Sequence, residues 1–150
     1  MSTNDHPGDN AEVVNPPDEL IREVLSGMKR VAVVGLSAKP DRASHGIARF
    51  LVGRELEVVG VNPVLKDDVL GLKVYDSLAA IDGYVDVVDV FRRSETVPPV
   101  VDAAIAMGAG CVWLQEGVVH EEAAAKAREA GLTVISDRCL YKEWLRLMNG

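Results

Sequence analysis

Five short runs rich in Val and Ile each break off into side chains that can meet a charged ligand. The first gives way to Gly35-Leu36-Ser37-Ala38-Lys39-Pro40, and the second to Asn62-Pro63, with Lys66 close behind. The third ends in Phe91-Arg92-Arg93-Ser94, the fourth in Gln115-Glu116-Gly117 and the fifth in Asp137-Arg138-Cys139. Four of the five ends carry a charge and three carry a cation, which is the donor chemistry that an anion needs. Gly35 lets backbone approach a ligand closely at the first turn. Ser44 is placed to cap a helix whose N-terminal amides and dipole attract negative charge. The anion these features fit is a phosphate.

The phosphate does not read as that of NAD. Of a G-x-G-x-x-G pattern only Gly35 is present, because Ser37 and Pro40 stand where the later glycines would fall. No acidic residue ends the second run to hold a ribose 2′-hydroxyl, and Asn62 is there instead. A neutral residue at that point, with Lys39, Lys66, Arg92 and Arg93 able to converge, suits a ribose carrying an extra phosphate, as in NADP or coenzyme A. The competing reading is that these cations are solvated loop residues.

Catalytic constellations are harder to build. The three histidines, His6, His45 and His120, have no metal-ligand spacing to a Cys or carboxylate cluster, so no metal site is expected. A triad of Ser37, His45 and Asp41 can be drawn, but the G-x-S-x-G nucleophile elbow is missing. Glu116 would serve as a general base only if burial raised its affinity for protons. Cys111 starts a strand and reads as a small buried apolar residue. Cys139 follows Arg138 near a helix start, a setting that favours thiolate. Phe50, Trp113 and Trp144 read as core, whereas Phe91, beside two arginines, is the candidate neighbour of an adenine ring. Binding therefore outranks catalysis, and no residue is assigned a catalytic role.

The elements that must position these ends follow from the apolar periodicity. Strands are expected over 31–35, 57–61, 86–90, 111–114 and 133–136, with helical segments over 44–52, 77–81, 97–107, 120–130 and 140–148. An amphipathic lead-in helix opens at Asp18 and stops at Gly27. Strands apolar on both faces and alternating with helices predict a doubly wound, mainly parallel α/β sheet of five strands, helices on both faces. Ligands of such sheets lie beyond the carboxyl ends of the strands, where these five ends fall. Residues 1–16, rich in Asn, Asp, Gly and Pro, are expected to form a flexible tail, leaving one domain over 17–150. Leu140, Trp144 and Leu147 form a stripe on the last helix that either packs back on the sheet or serves a homodimer or protein partner.

The whole-chain chemistry narrows the partners. With 16 Lys and Arg against 23 Asp and Glu, the net charge of −7 would repel a nucleic-acid backbone. No apolar run approaches the ~20 residues of a membrane span, and the N-terminus lacks the basic and apolar regions of a secretory signal. Two cysteines form no disulfide framework, so a reducing, cytoplasmic setting is expected.

The blocks VAVVGLSAKPDRASHGIARFL, EVVGVNP, VLGLKVYDSLAAI, VDVVDVFRRSE, CVWLQEGV and GLTVISDRC, in this order, resemble the single-domain CoA-binding protein family of Rossmann type. That family is similar to the CoA-binding domain of succinyl-CoA synthetase α subunits and acyl-CoA synthetases. The resemblance implies coenzyme A or an acyl-CoA as ligand, with Gly35, Ser37 and Lys39 cradling the pyrophosphate beside Pro40. It implies that Asn62, Pro63 and Lys66 frame the adenosine 3′-phosphate, and that Phe91 and Arg92, next to Arg93, line the crevice. Gln115, Glu116 and Gly117 would border the pantetheine route. The related synthetases act through a phosphorylated histidine on a further domain, and the sequence read here carries no counterpart to it. The alternatives are a small NADP- or CoA-dependent enzyme and a ligand-loaded regulatory protein.

Overall fold

The structure, a computed structural model, describes residues 13–65 and 67–148. Lys66 and residues 1–12 of the expected tail lie outside the described residues. Asn15, within the same expected tail, is tied down: its side-chain amide donates to the Ser136 carbonyl at 3.0 Å and its Oδ1 accepts from the Ser136 amide at 2.7 Å.

The elements run α1 Asp18–Gly27, β1 Arg30–Val34, α2 Ala43–Gly53, β2 Glu57–Val61, β3 Val74–Tyr75, β4 Val87–Val90, α3 Val97–Ala106, β5 Cys111–Leu114, α4 Glu121–Glu129, β6 Thr133–Ile135 and α5 Leu140–Leu147. The segment expected as a helix near 77–81 is a single 3₁₀ turn, Leu78–Ala80. All pairings are parallel, in the order β3-β2-β1-β4-β5-β6. The five expected strands are therefore joined by a sixth, β3, whose two residues pair with the end of β2.

Valine-rich strands need cover on both faces, and helices supply it. Ala32, Val34, Val88, Val90, Val112 and Leu114 pack in one layer with Val101 and Ala104 of α3 and Ala123 and Ala127 of α4. Val31, Val33, Val87 and Trp113 pack in the other with Ile21 and Leu25 of α1, Ile47 and Leu51 of α2 and Leu140 of α5. The stripe on α5 thus packs back on the sheet: Leu140 is fully buried, with Trp144 and Leu147 half-buried against the same layer. The chain after β1 turns to one face and the chain after β4 to the other. The crevice between these exits is the topological switch point of the sheet.

Two glycines hold that crevice closed behind the ligand space. Gly35 has φ +91°, and a Cβ there would lie 2.7 Å from the Phe91 carbonyl oxygen, so the β1 and β4 exits touch only because no side chain intervenes. A Cβ on Gly60 would collide with the Leu36 side chain, so Leu36 buries against β2 for the same reason.

Candidate functional site

The loop from β1 to α2 is braced from within. The Ser37 amide donates to Ser44 Oγ at 3.0 Å, and the Lys39 amide donates to Ser37 Oγ at 3.1 Å. His45, buried, donates from Nδ1 to the Ser37 carbonyl at 3.2 Å. These bonds correct two expectations. Ser44 does not cap α2, since it is the second helical residue and its hydroxyl is spent on the loop. The N-cap position belongs to Arg42, with no side-chain cap bond. The drawn triad does not form either, because His45 holds the carbonyl of Ser37 and not its hydroxyl.

An uncapped helix start with no acidic residue in its first turn leaves the α2 dipole available to an anion. It opens onto a cavity of about 470 Å³ lined by Gly35, Ser37, Arg42, Ala43, Ser44, Phe91, Arg92, Arg93, Gln115, Glu116, Gly117 and Val118. Nine of the residues singled out in the sequence therefore meet here. Arg42 is the guanidinium that sequence reading missed; its position just ahead of a helix start is the signal that points to it.

Other expected residues stand apart from this wall. Lys39 and Pro40 are exposed on the loop, and Pro63 is exposed beyond β2. The Asn62 side chain is already engaged: it donates to the Leu36 carbonyl at 2.9 Å and accepts from the Val64 amide at 2.8 Å. Asn62 therefore locks the β1 and β2 exits together. The expected convergence of four cations is met at the cavity by Arg92 and Arg93, while Lys39 does not line it.

The fourth and fifth exits are also built as one unit. Gly117, at φ +85°, donates its amide to Asp137 Oδ1 at 2.7 Å, and Asp137 itself takes a left-handed φ of 58° to present that oxygen. Glu116 is paired with Lys142 of α5 at 3.0 Å and is solvent-exposed, which removes the burial that a raised general base would need. Gln115 is 7% exposed, and its Oε1 has no hydrogen-bond partner. A buried carbonyl oxygen left unpaired costs free energy, which marks Gln115 as an unsatisfied acceptor in the wall of the cavity.

Gln115 and Ala43 also line a second cavity, of about 440 Å³, between α2 and α5. Cys139 is found there, as the N-cap residue of α5, with Ile47, Phe50 and Tyr141. Phe50, expected in the core, is half-buried and forms a wall of this space. Trp113 and Cys111 are core residues as expected, with the Trp113 indole donating to the Arg138 carbonyl at 2.8 Å. His120 caps α4 through Nδ1. Among the described residues no group of three His, Cys, Asp or Glu is placed to hold a metal ion.

Residues 29–144 match a family described as the CoA binding domain. The chain belongs to the CoA binding domain family. It is 44% identical over 126 residues to the protein YneT of Bacillus subtilis, covering 84% of this chain and 93% of YneT. A hypothetical protein from Pyrococcus horikoshii has a solved structure that superposes with a TM-score of 0.85 at 37% identity, covering 92% of this chain and 99% of that one. An acetyl-coenzyme A synthetase of Ca. Korarchaeum cryptofilum superposes with a TM-score of 0.68 at 25% identity, over 77% of this chain and 27% of the synthetase. The CoA binding domain thus stands alone in the two small relatives and as one part of the larger enzyme. Its ligand class is a small-molecule nucleotide. Among the described residues no helix is long and apolar enough to cross a membrane.

Proposed function

We propose that this protein binds coenzyme A along the strand ends, with the pyrophosphate at the β1 turn and the pantetheine arm running past Gln115. The observation that carries this reading is the cavity itself, in which the uncapped start of α2 and the residues Arg42, Arg92 and Arg93 line one space at the switch point. A diphosphate takes charge from the arginines, which suit paired phosphate oxygens, and is drawn by the uncapped start of α2. The unpaired Oε1 of Gln115 accepts an amide N–H of the pantetheine arm, a group that NADP lacks at that position.

The adenosine end, with its 3′-phosphate, lies toward the β1 and β2 exits, where Asn62 fixes the frame and Lys39, Pro40 and Pro63 border it. Phe91 offers a ring face in the crevice. Cys139 marks the thiol end. We read the protein as a binder with no catalysis of its own, because His45 is committed to the Ser37 carbonyl and Glu116 to Lys142.

Native isolation followed by mass spectrometry of the bound small molecules tests this reading. Coenzyme A or an acyl-CoA released on denaturation is the expected result. Release of NADP, or of another nucleotide in place of CoA, overturns it.

A further inference from the structure

The second cavity is larger than a bare thiol requires. It holds about 440 Å³, its walls include Ile47, Phe50 and Tyr141, and it borders the phosphate cavity at the residues that line both, Ala43 and Gln115. At that junction sits the one polar side chain of the groove that is more than nine-tenths buried and has an unpaired oxygen, Gln115. We propose that this chamber receives the apolar acyl chain of an acyl-CoA, so that the protein prefers short- to medium-chain acyl thioesters to free coenzyme A.

The proposal rests on the reading of the first cavity as a CoA site. A pantetheine arm that gives an amide N–H to Gln115 Oε1 at the junction carries its sulfur onward into the chamber. Free CoA ends there and leaves water against apolar side chains, whereas an acyl chain displaces that water. The wall is braced, since the Phe50 ring meets Tyr141 edge-on at 4.9 Å and Trp144 at 5.7 Å. Gly46 leaves the floor open, because a Cβ added to it meets no atom within 4 Å. Arg49 is the charged group that lines the chamber, on an exposed position of α2, and it makes a carboxylate-ended acyl group the competing occupant.

Calorimetric titration of the full chain with CoA and with acetyl-, butanoyl-, hexanoyl- and succinyl-CoA decides the matter. Affinity is expected to rise by about fourfold per methylene as the chamber fills, the gain of burying each group. Gly46→Leu grows a side chain into the open space of a helical position, and it should collapse the ratio of hexanoyl-CoA to CoA affinity toward one. Tyr141→Ala, at an exposed site, should move the optimum to longer chains, and thermal unfolding confirms that both variants fold. Equal affinity for CoA and its acyl forms, a ratio unmoved by Gly46→Leu, or tighter binding of succinyl- than of butanoyl-CoA would each overturn the proposal. Absence of binding by CoA and every acyl form would instead remove the CoA site on which it rests.

Discussion

Arg92 and Arg93 are neighbours with different work. Arg93 is exposed and pairs with Glu95 at 3.6 Å, whereas Arg92 is half-buried in the cavity wall and no carboxylate pairs with it among the described residues. Its aliphatic stem packs where a Gly35 side chain would be, with Cδ 3.1 Å from that position. Arg92→Ala should weaken CoA binding by about 1 to 3 kcal/mol, the range for a hydrogen bond to a charged group, with folding intact. Calorimetry and thermal unfolding on the same variant measure both. The two thiols differ just as sharply. Cys111 is sealed at 2% exposure, and burial together with the nearby Asp89 carboxyl pushes its thiol up, keeping it protonated. Cys139 lines the second cavity at the start of α5. Challenge with CoA disulfide should therefore give a mixed disulfide at Cys139, its thiolate displacing one CoA thiol. Intact-mass measurement should find the adduct in wild type and Cys111→Ser and lose it in Cys139→Ser.

At the scale of elements, β4 carries a cost. Asp89 is fully buried in the row Val33, Asp89, Trp113, and neither carboxylate oxygen has a partner. Burial raises its pKa well above the usual carboxylate value, so the native state holds a proton that the unfolded chain releases. Stability from this group is complete below the unfolded value near 3.8 and falls as pH rises toward the raised native value. The slope is about 1.4 kcal/mol per pH unit while only the unfolded chain is ionised. Asp89→Val, which fits its valine-rich strand, should raise the unfolding temperature at neutral pH and flatten that slope. Denaturation series at several pH values check it.

The same scale shows what the sequence could and could not reveal. Strands β1, β2, β4, β5 and β6 were legible because each is a short apolar run largely buried on both faces, and periodicity reports burial. The two-residue β3 pairs only at Gly60 and Val61, too short a stretch to leave an apolar pattern. Strand ends therefore located the groove, and Gly35, Arg92 and Gln115 could be named from them. The partners of Ser44 and Asn62 could not, since a polar side chain beside a strand exit bonds a ligand, a helix end or a loop according to geometry that sequence leaves open. Both proved to be loop ties. Arg42 escaped notice because its approach to Arg92 and Arg93 depends on how the β1 loop turns.

For the whole molecule, charge sets the terms of binding. A chain of net charge −7 repels a polyanion at long range, so affinity for CoA must come from cations gathered at short range. In the proposed complex Arg42, Arg92 and Arg93 supply that gathering at the pyrophosphate end, with the 3′-phosphate toward the β1 and β2 exits. Parallel titration of the protein with CoA, dephospho-CoA and NADPH tests this account most directly. CoA should bind tightest, dephospho-CoA more weakly for want of the 3′-phosphate, and NADPH more weakly still, because it offers no pantetheine amide to Gln115. Equal affinity for CoA and dephospho-CoA would contradict the assignment of the 3′-phosphate end. NADPH binding tighter than CoA would contradict the account as a whole.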